Sequence, residues 1–332
     1  VEIRKVQVTG GSSFVITLPK EWAKSIDLKK NDSLGLVTRP DGSLIVTPPS
    51  RWESSVSTKV FDVDGEEDPA FLYRKMVGAY IAGFSVLEVR SQGRMPSSVR
   101  DAVSSLTQIA IGLEILEESE SSIILKDLID PTEMRFNKSI DRMRVLVGNM
   151  LSDAFQALED GDMEKVEDII ERDRDIDRLE WLISRQSNMA QRDSLVSQKI
   201  GMPHMEITAN FTVGRILERV GDHAVHIAKN SRELIEAGVS MEVVQQIRNA
   251  GNKALAILMS AVDSWFNRDL HLANDTIEGM GPLVEQCRNI NRMAQEHEVE
   301  ESIAISLIAG SIRRVGEYST DLAELVINTM ME

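Results

Sequence analysis

The chain has 332 residues with 53 acidic side chains against 37 basic ones, a formal charge of −16, and 42% apolar residues. That length predicts two or more domains with cores to fill, and the global charge argues against a body that coats nucleic-acid phosphates or lies on an anionic membrane, since both roles need a basic surface. No apolar run approaches the roughly 18 residues that span a bilayer, and residues 1–25 lack the apolar core of a signal peptide. The single cysteine, Cys287, rules out an internal disulfide or a Cys-rich zinc site, so a cytoplasmic protein without membrane insertion is expected.

The first 58 residues differ from the rest. They hold eight Lys/Arg (Arg4, Lys5, Lys20, Lys24, Lys29, Lys30, Arg39, Arg51) and six Asp/Glu, a net +2 that leaves −18 for the remainder. Residues 1–8 alternate, Phe14 to Leu18 is rich in strand formers, and Ser33–Thr38 and Ser43–Thr47 flank a turn at Pro40, Asp41 and Gly42, with a short helix opening at Pro19. Thr9-Gly10-Gly11-Ser12-Ser13 reads as a tight strand connection, because no Gly-Lys-Ser/Thr follows to make a phosphate cradle. So few large apolar groups make a marginal core, and size alone predicts two copies sharing one barrel, a homodimer. The run RKVQVTGGSSFVITLPKEWAKSIDLKKNDSL resembles the SpoVT/AbrB swapped-hairpin domain. That resemblance implies DNA binding by a dimer, with Arg4, Lys5, Lys20 and Lys24 as the contacts; the alternative is a dimerisation barrel whose lysines are merely solvated.

Residues 59–131 read as a small mixed α/β connector: a helix from Pro69 to about Ala82, a strand at Val86–Val89, a helix after Pro96, and strand-like Ile111–Ile115 and Ile123–Leu125, closed by Asp130 and Pro131. Glu117, Glu118 and Glu120 read as a solvated turn.

From about Met134 the pattern is helical and repeats. The seam Val147, Leu151, Ala154, Phe155, Leu158 recurs 107 residues on as Ala254, Leu258, Ala261, Val262, Trp265. Arg219-Val220-Gly221-Asp222 recurs 95 residues on as Arg314-Val315-Gly316-Glu317, with the glycines placed for close helix approach. Two three-helix bundles related by duplication are predicted, over residues 132–236 and 237–332. The fold class is thus mainly α, with an N-terminal swapped-hairpin β-barrel and a small α/β connector.

On the second helix of the first repeat, positions 166, 170, 173, 177 and 180 share one face and read Val166, Ile170, Asp173, Asp177, Glu180. The sister positions read Ala273, Ile277, Met280, Val284, Cys287, an ordinary apolar seam. Three acids standing where the sister packs apolar groups need compensation, at several kcal/mol each if partly buried and unpaired. Glu218 and Asp222, four apart on the third helix, would complete a hard-oxygen site for iron, manganese, magnesium or calcium ahead of a structural zinc. The expected cofactor is accordingly a divalent or trivalent metal, with iron, manganese, magnesium or zinc as candidate identities. The competing reading pairs the acids with Arg172, Arg174, Arg178, Arg215 and Arg219. His223 and His226 lie near but turn away. In the second repeat Arg313 replaces Glu218, so a site there is expected to be weak or absent.

Asp173-x-x-x-Asp177-x-Leu179 and Leu217-Glu218-Arg219-Val220-Gly221-Asp222-His223-Ala224 resemble the PhoU signature. Together with the N-terminal segment, nearly the whole chain resembles the archaeal-type PhoU phosphate uptake regulator. The resemblance implies a non-enzymatic regulator of phosphate homeostasis that restrains the phosphate ABC transporter at its ATPase subunit and contacts operator DNA. Two alternatives carry different expectations. One is a transcription factor alone, with the bundles as an effector-binding scaffold. The other is a di-metal carboxylate redox enzyme, which would use Glu-x-x-His pairs; the residues three before His204, His223, His226, His271 and His297 are Gly201, Val220, His223, Arg268 and Ala294.

Overall fold

The structure, a computed structural model, describes residues 2–38, 42–48, 57–63, 68–130 and 133–331, without the side chains of 194 and 195. The expectations that fall on Val1, Arg39, Pro40, Asp41, Arg51 and Pro131 lie outside the described residues. The chain divides into two compact units, Val1–Val56 and Ser57–Glu332.

The N-terminal unit holds two antiparallel hairpins, β1 (Gln7–Thr9) with β2 (Ser13–Val15) and β3 (Gly35–Thr38) with β4 (Leu44–Thr47), and a short helix α1 (Lys20–Ser25). Gly10 and Gly11 take left-handed backbone at φ 63° and 88°, which closes the first hairpin without a Cβ clash. Within this unit only Val37 and Thr47 of the described residues are buried, while Ile3, Val8, Phe14 and Leu36 are exposed, Phe14 by 78%. One copy therefore leaves these apolar side chains exposed.

The second unit opens with a four-stranded sheet ordered β5-β6-β8-β7 (Thr58–Asp62, Val86–Arg90, Ser122–Asp127, Leu113–Glu118). Strand β5 runs parallel to β6 through the crossover helix α2 (Pro69–Ile81), and the other pairs are antiparallel. The strand β5 was not anticipated, although the alternation Lys59-Val60-Phe61-Asp62-Val63 carries its signal; Thr58 belongs to this sheet and not to the N-terminal domain assigned through residue 58. Asp68 caps α2 through the Ala70 amide. Leu72, Met76 and Tyr80 of α2 and Val99, Val103 and Leu106 of α3 (Ser97–Ile109) cover Leu87, Val89, Ile123 and Leu125, each buried group worth about 1.5–3 kcal/mol.

The helical body follows as α4 (Phe136–Asp160), α5 (Met163–Arg192), a short α6 (Ser194–Ile200) and α7 (His204–Ala237), then α8 (Met241–Asn267), α9 (Leu270–Glu278), α10 (Met280–Ala294) and α11 (Val299–Met330). One hydrophobic core runs through both repeats. The duplication is visible at the caps: Asp162 accepts from the Lys165 amide at the start of α5, and Asp269, 107 residues on, caps α9. It is visible in packing too, since Gly221 faces Ile176 and Gly316 faces Leu283, pairs that superpose under the offsets of 95 and 107. The expectation of three long helices per repeat needs one correction. The second helix of the second repeat breaks at Gly279, where Gly279-Met280-Gly281-Pro282 combines two poor helix formers with a proline that disfavours helical backbone before it.

The connector is fastened to α5 by a buried ion pair. Arg185, with its side chain 1% exposed, reaches Asp127 Oδ2 at 2.8 Å, donates to the Tyr80 carbonyl and lies over the Tyr80 ring. Asn188 Nδ2 donates to the Ile81 carbonyl and Arg192 Nη1 to the Ala82 carbonyl, so three α5 side chains satisfy carbonyls at the end of α2.

Candidate metal centre

Val166, Ile176 and Leu179 of α5 and Val213, Leu217, Val220 and Ala224 of α7 bury the helices' common face. That packing brings the five acidic side chains, Asp173, Asp177, Glu180, Glu218 and Asp222, into one electrostatic cluster. Asp177 lies at its centre: burial, then the charges of Asp173, Glu218, Asp222 and Glu180, push its carboxyl up to about 7. Burial and Asp222 raise Asp173, with Lys229 and His226 opposing. Burial raises Glu218, and Arg215 opposes without cancelling it.

The arginines divide unequally. Arg172 turns to Asp153 and Asp168, Arg178 to Asp175, and Arg174 is exposed with no ion pair among the described residues. Arg215 Nη1 stands 3.3 Å from Glu180 and 4.0 Å from Glu218; Arg219 stands 3.7 Å from Glu218 and 3.5 Å from Asp222. Glu180, the most buried of the five, also accepts from Ser184 Oγ and is well compensated. Asp173 and Asp177 make no ion pair among the described residues, and the buried Glu218 Oε2 has no hydrogen-bond donor. This donor set, three under-compensated carboxylates with Asp222 beside them, suits a hard cation. As the side chains stand, no group of three or more His, Cys, Asp or Glu among the described residues converges to hold a metal, so a cation would have to draw the repelling carboxylates together.

His223 and His226 face the second repeat. Their ring centroids are 5.9 Å apart, and His223 lies 5.8 Å from Tyr318 of α11; burial, then His226 and Arg314, lower the His223 pKa. In the sister repeat Glu317 is clamped by Arg313 Nε at 2.8 Å and Arg314 Nη1 at 2.7 Å. Burial pushes Glu317 up, but hydrogen bonds from Arg314 and Arg313 outweigh it and hold the carboxyl below its ordinary value. Cys287 is buried and pushed up to about 11. The asymmetry read from the sequence is thus built into side-chain pairing.

Sequence reasoning missed Tyr73. It sits on α2 of the connector, and burial together with the charge of Asp177 raises its pKa; no periodicity links residue 73 to residue 177, and only the docking of α2 on α5 does so. Arg4, Lys5, Lys20 and Lys24 are all exposed, Lys20 and Lys24 one turn apart on α1, and Arg4 is paired with Glu2.

A duplicated three-helix body with a carboxylate seam in one copy defines a class of two-bundle helical proteins. The PhoU domain model matches residues 140–231 and again 247–326, more than half of the chain, and the chain belongs to the PhoU family. The family model described as antidote-toxin recognition MazE, bacterial antitoxin, matches residues 7–54, in agreement with the resemblance read for the N-terminal unit. The chain is 26% identical over 117 residues to the phosphate-specific transport system accessory protein PhoU homolog of Pseudomonas aeruginosa, covering 33% of this chain and 48% of the relative. It is 28% identical over 131 residues to the Zymomonas mobilis homolog, covering 36% and 53%. The chain spans about half the length of the curated relatives it matches. Among solved structures, PhoU from Pseudomonas aeruginosa aligns with a TM-score of 0.53 at 21% identity over 59% of this chain and 95% of that one. The phosphate transport system regulatory protein PhoU from Streptococcus pneumoniae aligns with a TM-score of 0.51 at 19% identity, covering 59% and 93%. These likenesses establish the fold.

Proposed function

We propose that this chain is a non-enzymatic regulator of phosphate uptake and intracellular phosphate homeostasis, acting in the cytoplasm. The observation that carries the reading is the α5/α7 seam of a PhoU-family body, where Asp173, Asp177 and Glu218 lack full countercharge. Relatives over the matched region are named as accessory proteins of the phosphate-specific transport system. Asp173, Asp177, Glu218 and Asp222 would hold a divalent or trivalent cation, with Glu180 shared with Arg215. A bound cation would supply the positive charge that the seam lacks and a coordination position open to an oxygen ligand. The partner expected for the body is the ATPase subunit of the phosphate ABC transporter. No described helix is long and apolar enough to cross a membrane, which suits a protein that docks on the transporter.

The N-terminal unit adds DNA binding as a homodimer. Its exposed Ile3, Val8, Phe14 and Leu36 favour pairing with a second copy, and Arg4, Lys5, Lys20 and Lys24 lie free on its surface or paired only locally. A transcription factor alone would use the same seam to bind an effector and would recover no transporter subunit. The test is recovery of the tagged full chain from phosphate-replete cells, with elemental analysis and identification of bound proteins. Wild type should retain a metal and the transporter ATPase subunit. A Asp173→Ala, Asp177→Ala variant should lose the metal; equal metal content in both would refute the site, and absence of the ATPase subunit would refute the partner.

A further inference from the structure

Away from the carboxylate seam, the first turns of α7 meet the last turns of α8 and α11. A cavity of about 110 Å³ opens there between the repeats, walled by Trp265, Phe266 and Met330. Its polar lining is Asn137, Glu206, Asn210, Arg268 and Thr329, of which Thr329 Oγ1 donates back to the Leu325 and Val326 carbonyls of its own helix. Asn210 is 3% exposed; its Nδ2 donates to the Glu206 carbonyl at 2.7 Å, and its buried Oδ1 has no partner. Leaving such an acceptor unmet in the folded state is unfavourable. Arg268 Nη2 bonds Glu206 Oε1 at 2.5 Å across the mouth.

These are the positions at which the two repeats part company. Asn210 corresponds to Ile305, a fully buried apolar residue, under the offset of 95. Arg268 corresponds to Gly161 under the offset of 107, and both end their helices in left-handed backbone, at φ 52° and 69°. Glycine adopts that conformation freely, whereas a residue with a Cβ is strained there. The second repeat accepts that strain and thereby places a guanidinium at the mouth. Phe266 stands where the first repeat has Glu159. An unmet buried acceptor and a strained cation, both absent from the sister, converge on one cavity.

We propose that this cavity binds a small zwitterion with an apolar tail, in the chemical class of α-amino acids with aliphatic side chains. Its carboxylate would take the planar fork of Arg268, its ammonium would donate to Asn210 Oδ1 and the Glu206 carboxylate, and its side chain would pack against Trp265, Phe266 and Met330. Binding exchanges the internal Arg268–Glu206 pair for two charge-assisted pairs with the ligand. A simple anion is disfavoured because Glu206 and Asn210 Oδ1 both present negative charge density, and a metal ion because one carboxylate is too few ligands. The volume suits one aliphatic side chain, being below the ~150 Å³ that accommodates benzene, and excludes a nucleotide. Asn210 lies eight residues from Glu218 on one helix, about 12 Å along it, so the cavity is separate from the carboxylate seam, and this proposal does not depend on the phosphate reading.

The test is calorimetric titration of the full chain with L-leucine, L-valine and L-methionine, beside N-acetyl-L-leucine and L-leucinamide, which block the ammonium and the carboxylate in turn. A free amino acid should bind saturably, and each block should weaken it roughly tenfold or more. Arg268→Gly restores the residue of the sister repeat, so it should fold with an equal or higher melting temperature while losing binding roughly tenfold. No heat and no thermal shift with any of the three at about 10 mM, above the millimolar range of weak specific binding, would overturn the proposal. So would binding that Arg268→Gly and the blocked analogues leave unchanged.

Discussion

Replacing Asp177 by Asn tests whether the seam is an uncompensated acid cluster. The substitution keeps shape and removes the charge that burial and four neighbouring carboxylates oppose. A carboxyl raised from its ordinary value near 4 to about 7 corresponds to roughly 4 kcal/mol between its protonation states if fully desolvated. Asp177 is only partly buried, and screening by water reduces this to roughly 2 kcal/mol. The sign follows from the direction of the shift. A raised folded-state pKa favours the folded state fully below the unfolded value, and that contribution is lost as pH rises through about 7. In the presence of a chelator at pH 8, Asp177→Asn should therefore be more stable than wild type by about 2 kcal/mol, a melting shift of about 4–8 °C. The difference should shrink steadily toward pH 4. Adding manganese or magnesium at a hundredfold excess over Kd should raise wild type by about 2.7 kcal/mol and leave the variant unmoved. Differential scanning calorimetry across this pH range reads all three quantities. A variant less stable than wild type at pH 8 under chelation, or a metal shift equal in both proteins, would refute the reasoning.

Arg185→Met should cost about 3–5 kcal/mol in urea unfolding, because it strands the buried Asp127 carboxylate. Adding Asp127→Asn to it should recover part of that loss. Gly251→Ala would drive a Cβ into the Phe155 ring, a rigid neighbour, and should cost about 1–3 kcal/mol; Gly221→Ala, meeting Ile176 at 3.4 Å, should be tolerated within about 1 kcal/mol. Thermal melts of the two alanine variants decide the comparison, and equal losses would contradict the close approach at Gly251. For DNA, Lys20→Gln with Lys24→Gln should flatten the dependence of affinity on salt by about 2 per protomer in log–log slope, measured by fluorescence anisotropy. An unaltered slope would remove those lysines from the interface.

The sequence by itself determined the two-bundle duplication, because the offsets of 107 and 95 act on long helices whose period is set by backbone geometry alone. It determined that residues 173, 177 and 180 break an apolar seam, because the sister repeat supplies an internal reference at Met280, Val284 and Cys287. It also determined most connector elements, which Pro69 and Pro96 punctuate. Tertiary structure alone decided which acids are compensated. Arg172 carries the same charge as Arg215, yet it turns to Asp153 of α4 while Arg215 reaches Glu180 across to α5. It decided that the polar run Ser184-Arg185-Gln186-Ser187 is buried, with Arg185 reaching the connector at Tyr80 and Asp127, and that Tyr73 comes into the field of Asp177. The physical reason is common to these cases. Helical periodicity places a side chain on a face from its own neighbours, but a partner on another element, 19 residues away for Arg172 and Asp153 and 58 for Arg185 and Asp127, is chosen by how faces pack, and no local pattern encodes that choice.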